Sequence, residues 1–262
     1  MVQRGLVSIE DIKEFGQPPS IIENEYFEAR ALRRVSPYVT KFFIERGITA
    51  NQVSILTILT GLTASTLLIF GSITLMVISY FQYLIVFNLL DDVDGEIART
   101  TNTESARGRV LESLQLKISL SSFFICFGVG LYNRLGTSIF IPLGTCFALA
   151  SWFTRSRGHI VLETINGDKK ILNKDKQLFF FIKKGKKLYR LYRKYSKVIY
   201  FFSFYKIGFL FILFLEGIYP ILPKYEICFI PITPASIYFI IQGLHWVCVA
   251  VITGVVTIRF LR

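Results

Sequence analysis

Hydrophobic residues in this chain come in long uninterrupted runs, not in the strict alternation of a half-buried strand or the narrow stripe of a soluble helix. No side chain from position 47 to position 90 carries a charge. Those 44 positions hold two membrane-spanning helices of about 20 residues each and a tight turn. Gly71-Ser72 supplies the turn, so the pattern predicts a first span near 53–70 and a second near 73–90. A third is expected over 110–132, with Glu112 and Lys117 in its first half. A fourth fits between Arg134 and Arg155, and a fifth covers about 199–222 with Lys206 and Glu216 inside it. The sixth follows Pro231 and Pro234, over 236–258.

Composition agrees with a membrane protein. The 262 residues are 52% hydrophobic with a mean hydropathy of +0.50, which a soluble domain of this size seldom reaches. The net charge of +12 raises nucleic acid as a partner until the basic residues are sorted by loop. Arg30, Arg33, Arg34, Lys41 and Arg46 precede the first span, and Arg99, Arg107 and Arg109 link the second to the third. Fourteen more crowd 155–197, and Arg259 and Arg262 close the chain. The opposite loops hold only Arg134 and Lys224. That alternation is the positive-inside pattern with both termini cytoplasmic, and it accounts for the charge without nucleic acid. The expected fold is an all-α integral membrane protein of six transmembrane helices, preceded by an N-terminal interfacial amphipathic helix. Residues 1–48 form a cytoplasmic segment and 49–262 the membrane domain. Cys126, Cys146, Cys228 and Cys248 lack metal spacing and read as buried apolar thiols.

The segment "VSPYVTKFFIERGITANQVSIL" is strongly punctuated. Ser36 is expected to cap a helix that begins at Pro37 and ends at Gly47. Tyr38, Val39, Phe42 and Phe43 share one face of it, which suits a helix lying in the membrane interface; a soluble helix packed on the cytoplasmic side is the alternative. Thr49 is the next expected N-cap, with Gln52 as its capping-box partner. The basic loop over about 155–197 reads first as a topology determinant and second as a contact for anionic membrane lipids. Arg155 and Arg157, at its start, are placed to meet an anionic substrate.

The end of the second span is "LLDDVDGEIARTTNTESARGRVLESLQL", where apolar residues give way to acids. On a helix Asp91 and Asp94 share a face, and Asp92 points about 100° from Asp91. Gly108 and Glu112 share a face of the next helix. Two antiparallel helices thus bring three carboxylates together, and such a cluster calls for a cation. All-oxygen ligands suit Mg²⁺, Mn²⁺ or Ca²⁺. Gly95 and Gly108 leave room for a ligand, and Arg99 offers a phosphate partner. The other reading is an acidic, solvated helix end.

Asp91-x-x-Asp94-Gly95-x-x-Ala98-Arg99, then eight residues, then Gly108-x-x-x-Glu112, resembles the signature of the CDP-alcohol phosphotransferase (phosphatidyltransferase) family. The resemblance extends upstream through "SPYVTKFFIERGITANQVS". It implies a six-helix membrane fold, usually a homodimer, that passes a phospho-alcohol from a CDP-alcohol donor to a lipid or polar alcohol acceptor and releases CMP. By the resemblance, Asp91, Asp94 and Glu112 bind Mg²⁺ or Mn²⁺, as one ion or two. Gly95, Ala98, Arg99, Ser105 and Gly108 line the CDP site, and Asn51 and Ser54 meet the donor from the first span. The chain departs from the pattern twice. Glu112 stands for the third aspartate, and Leu116 for the fourth, which in the family ligates metal and is the proposed general base. Gln115 beside it is not a base. Three functions stay open: a divergent transferase, a partner subunit that binds CDP or metal without turnover, and a transporter or scaffold, for which the charges within the fifth span speak.

Overall fold

The structure is a computed structural model that describes residues 7–17, 27–167, 207–218, 225–227 and 230–261. A short turn α1 (Ile9–Asp11) runs into a π-helical turn (Ile12–Gly16), followed by α2 (Phe27–Glu45), α3 (Ala50–Leu68) and α4 (Ile73–Phe81). A second π-helical turn (Gln82–Phe87) carries α4 without a break into α5 (Asn88–Thr100). Then come α6 (Ala106–Leu135), α7 (Phe140–Gly167), α8 (Ile207–Ile218), an antiparallel hairpin of β1 (Tyr225–Ile227) and β2 (Ile230–Ile232), and α9 (Pro234–Leu261). Among the described residues, four segments are long and apolar enough to cross a membrane: Ala50–Leu68, Ile73–Thr100, Ala106–Leu135 and Pro234–Val251. The expected fourth and fifth spans correspond to shorter apolar stretches, Phe140–Phe153 within α7 and the described part of α8. The basic loop beyond Gly167, with Lys206, lies outside the described residues.

Helices in lipid gain nothing from hydrophobic exclusion between them, so close packing and buried polar contacts must hold them together. Both are present. Where α3 crosses α6, Gly130 lies against the Leu68 carbonyl, and Gly71 turns the chain with a φ of +66°, a conformation that favours glycine. Phe123, Phe124, Phe127, Phe140, Phe147 and Phe239 interlock, edge-on or tilted, at the junction of α6, α7 and α9. The Tyr83 hydroxyl, in the second π-helical turn, donates to the Gly61 carbonyl at 2.8 Å and sits 2.5 Å from Ser65 Oγ. At the far end of the bundle, Glu216 is fully buried. Its Oε1 accepts from Arg134 Nε at 3.0 Å, and its Oε2 accepts from the Ala235 backbone N–H at 2.8 Å, at the N-terminus of α9. This carboxylate therefore has an interhelical partner and a helix dipole.

Several local expectations change. Pro37 lies inside α2 instead of starting it, because the Ser36 hydroxyl caps nothing: it donates 2.5 Å to Glu96 Oε1. Gly47 ends the helix as expected, with φ +70° and its N–H donating to the Ile44 carbonyl. The apolar stripe of α2 divides. Val39 and Phe43 pack inward, whereas Tyr38 and Phe42 are exposed, with the Arg46 guanidinium 3.4 Å above the Phe42 ring. Cys146 and Cys248 are exposed and Cys126 is half-buried, so these apolar thiols face outward more than the sequence suggested; Cys228 is outside the described residues.

The N-terminal segment is bolted to α5 through Glu96, whose side chain is wholly buried. Its Oε1 accepts from Gln17 Nε2 at 2.8 Å, Ser36 Oγ at 2.5 Å and Arg33 Nη1 at 3.3 Å, and its Oε2 accepts from Thr40 Oγ1 at 2.6 Å. Arg33 also bridges to Asp92 at 2.9 Å. The N-terminal segment and the acidic end of α5 therefore lie on one side of the membrane.

Glu96→Ala would leave four buried donors facing a void. It is expected to destabilise the protein by about 3–5 kcal/mol, with hydrogen exchange rising first in residues 7–17, as measured by mass spectrometry in detergent. Gly130→Ala drives a methyl group into the Leu68 carbonyl and is expected to cost about 1–3 kcal/mol. Gly217→Ala, where a methyl group meets no described atom, serves as the near-neutral control in the same thermal melts.

Candidate active site

The four acids of α5 divide between two faces. At about 100° per residue, Asp91 and Asp94 lie roughly 150° from Asp92 and Glu96. The second pair is taken by the N-terminal segment. The first pair faces α3 and α6.

The beginning of α3 is set by its cap. Thr49 Oγ1 accepts from the Gln52 N–H, and Gln52 Oε1 accepts from the Thr49 N–H at 2.9 Å. This box puts Asn51 and Ser54 on one side of the first turns. Asp94 is 8% exposed, and the Ser54 hydroxyl donates to its Oδ2 at 2.7 Å. Charges on Asp91 and Glu112 both act on Asp94, so the sequence-predicted trio converges electrostatically, although Glu112 itself is exposed.

Arg99 lies one turn beyond Asp94–Gly95. Its Nε donates to the Gly16 carbonyl at 2.8 Å. Its guanidinium spreads over Gly95, where a Cβ would come within 2.9 Å of Nη1. The space left by Gly95 is thus occupied by Arg99 itself. Ala98 is half-buried on the same helix. The turn after α5 passes through Asn102 at φ +52°, a conformation asparagine tolerates. Ser105 then caps α6 by accepting from the Gly108 N–H at 3.1 Å. A Cβ on Gly108 would stand 3.5 Å from Ser105 Oγ and 3.7 Å from Asn51 Oδ1, so these three residues are neighbours with room between them. Beside them a cleft of about 200 Å³ opens between the start of α3 and the end of α5, lined by Thr49, Asn51, Ile97, Thr101 and Thr103.

The fourth motif position is apolar in its surroundings as well as in its side chain. Leu116 packs against the aromatic core. Its neighbour Gln115 is fully buried and donates through Nε2 to Asp91 Oδ1, while its Oε1 has no partner among the described residues. A buried amide oxygen left without a donor costs about 1–3 kcal/mol.

Asp91, Asp94 and Glu112 offer hard oxygen donors, the chemistry that suits Mg²⁺ or Mn²⁺. Mutual repulsion among them is what a cation at this place would relieve. Among the described residues, no three His, Cys, Asp or Glu side chains already form a metal cage. Arg155 and Arg157 belong to α7, and their side chains, like that of His159, lie outside the described residues.

Sequence reasoning missed the Glu96 anchor. Its one available signal was the i, i+4 spacing of Asp92 and Glu96, a second acidic face with no assigned partner. The Gln115 contact had no signal beyond adjacency to position 116.

A family model described as CDP-alcohol phosphatidyltransferase matches residues 47–214. No curated protein gives a match. The matched region runs from the turn before α3 into α8 and contains every residue of the Asp91–Glu112 motif, and over that length the chain belongs to the CDP-alcohol phosphatidyltransferase family.

Proposed function

We propose that this protein is a membrane transferase that moves a phospho-alcohol group from a CDP-alcohol to an acceptor hydroxyl and releases CMP. The observation that carries this reading is the Asp91–Asp94 face of α5. Its inner carboxylate is held by Ser54 and influenced by Glu112, and Arg99 lies one turn away. Family membership supports the reaction class.

In this reading Asp91, Asp94 and Glu112 are the residues that hold Mg²⁺ or Mn²⁺. The chemistry such a cation supplies is neutralisation of charge on the diphosphate, which makes CMP a better leaving group. Asn51, Ser54, Gly95, Ala98, Arg99, Ser105 and Gly108 line the donor site. Arg99 meets phosphate oxygens with the Nη atoms that its bond to Gly16 leaves free of that task. The acceptor oxygen attacks the phosphorus that bears the alcohol. The bond from that phosphorus to the bridging oxygen of CMP breaks, and CMP departs with its electron pair. The hydroxyl proton passes to a site carboxylate or to the phosphate, since Leu116 cannot take it. Loss of a dedicated base slows such a step by about 10²–10⁴-fold without abolishing it. Arg155 and Arg157 are assigned to the acceptor's phosphate. The positive-inside pattern puts the site and both termini on the cytoplasmic side, and the protein works as the homodimer its family implies.

One observation favours a second reading. Leu116 is half-buried and packs against the aromatic core, as in a partner subunit that keeps CDP or metal affinity and no longer turns over. Transport draws less support from Glu216, because that carboxylate is already paired with Arg134 and the start of α9.

Purified protein with Mg²⁺ or Mn²⁺ is expected to release CMP from a CDP-alcohol in the presence of a hydroxyl acceptor. A chelator should stop the release and added metal restore it. Asp94→Ala should lower the rate by at least about 10²-fold. CDP binding without CMP from any donor–acceptor pair would favour the partner subunit. Leu116→Asp is expected to lower both stability and turnover, because it places a carboxylate against packed aromatic rings. A rise in turnover would instead show that position 116 still faces the reacting groups.

A further inference from the structure

On α6 the positions 108, 112, 115 and 119 fall within about 60° of one another, so Gly108, Glu112, Gln115 and Ser119 form one stripe. Along it Gly108 comes near Asn51 and Ser119 lies against Gly61, both on α3, while Gln115 meets Asp91 of α5. Leu116, at the motif position, lies at the stripe's edge and packs into the core. What stands opposite Asp91 is therefore Gln115, fully buried, with its amide N–H on Asp91 Oδ1.

The orientation of that amide is fixed by charge. A carboxylate only accepts, so the NH₂ end must face Asp91 and the carbonyl end must point away. The carbonyl end finds no donor among the described residues. A glutamine held at one end and unsatisfied at the other, in a site where the family places a carboxylate, is not accounted for by packing; an apolar side chain would fill the same space without the orphaned oxygen.

We infer that Gln115 is a positioning residue for Asp91, standing in for part of what the missing fourth aspartate supplied. Its N–H takes up Oδ1 and fixes the plane of the carboxylate. It also withdraws charge from Asp91, so that Asp91 and Asp94 can stand three residues apart before any cation arrives. The site consequently holds three carboxylates and one neutral amide. Hydrogen bonds of this kind to metal-ligating groups typically govern metal affinity. The inference rests on the metal-dependent reading proposed above.

The test is Mn²⁺ titration of the full-length protein in detergent, followed by electron paramagnetic resonance of the free ion, for wild type, Gln115→Leu and Gln115→Met. Both variants remove the orphaned oxygen along with the bond to Asp91, two changes of opposite sign for stability, so their unfolding temperatures should stay close to wild type. Their Mn²⁺ affinity is expected to fall about 10–100-fold. A merely structural glutamine would give the opposite pattern, a lowered unfolding temperature with Mn²⁺ affinity intact. Variants that bind Mn²⁺ within twofold of wild type overturn the inference and leave the proposed function standing. Absence of Mn²⁺ binding by the wild type itself would instead remove the metal-dependent reading, and this inference with it. Should Gln115→Leu fail to fold, the unbranched Gln115→Met carries the comparison.

Discussion

The Glu96 carboxylate is the constraint from which the site follows. An ion buried without water must have its lone pairs satisfied by protein donors, or it will not stay charged or stay buried. Here Gln17, Arg33, Ser36 and Thr40 supply them, all from chain that precedes the first membrane helix. The bond fixes more than a contact. It sets the rotation of α5 about its own axis, because Glu96 and Asp92 must face the N-terminal segment. Asp91 and Asp94, on the other side, are then turned toward Ser54 and Gln115. Arg99 is held in the same grip through the Gly16 carbonyl. The family match begins at residue 47, so the donors that orient the motif precede the matched region.

Beneath this polar end the bundle is held by close approach. Gly130 against the Leu68 carbonyl, and Gly128 and Gly144 against backbone carbonyls of the facing helix, let α3, α6 and α7 come near enough for the phenylalanines to interlock. The π-helical turn Gln82–Phe87 interrupts the second span one turn before the motif. Gln82 Nε2 reaches across to Thr63 Oγ1 at 2.6 Å, and the Tyr83 hydroxyl reaches the Gly61 carbonyl. Widened turns of this sort are frequent next to functional segments, and this one ties the membrane part of the helix to α3 just below the carboxylates.

Signals confined to a few neighbouring residues were legible in the sequence. The Thr49–Gln52 box, the Gly47 terminator, the Gly71 turn and the shared face of Asp91 and Asp94 all stand in the structure as read. Features decided by distant residues were not. Ser36-Pro37 carries the local mark of a helix start, and burial of its hydroxyl against Glu96, 60 residues away, overrides that mark. Glu216 looked like an isolated charge within a span because its partner, Arg134, is 82 residues distant. Asp92 was set aside as pointing away from the motif face; it does point away, toward Arg33. Leu116 was rightly seen as unable to act as a base, but the burial of Gln115 against Asp91 needs the fold to become visible.

The placement of the Glu96 donors also bears on how the protein is threaded into the bilayer. Residues 17–40 are made before any span, and Glu96 only after two. The carboxylate meets its donors only if α3 and α4 have gone out and come back as a pair; a single crossing would leave it about 30 Å away across the hydrocarbon. The latch therefore counts the first two passages through the membrane, and the Asp91–Asp94 face is assembled only when the count is even.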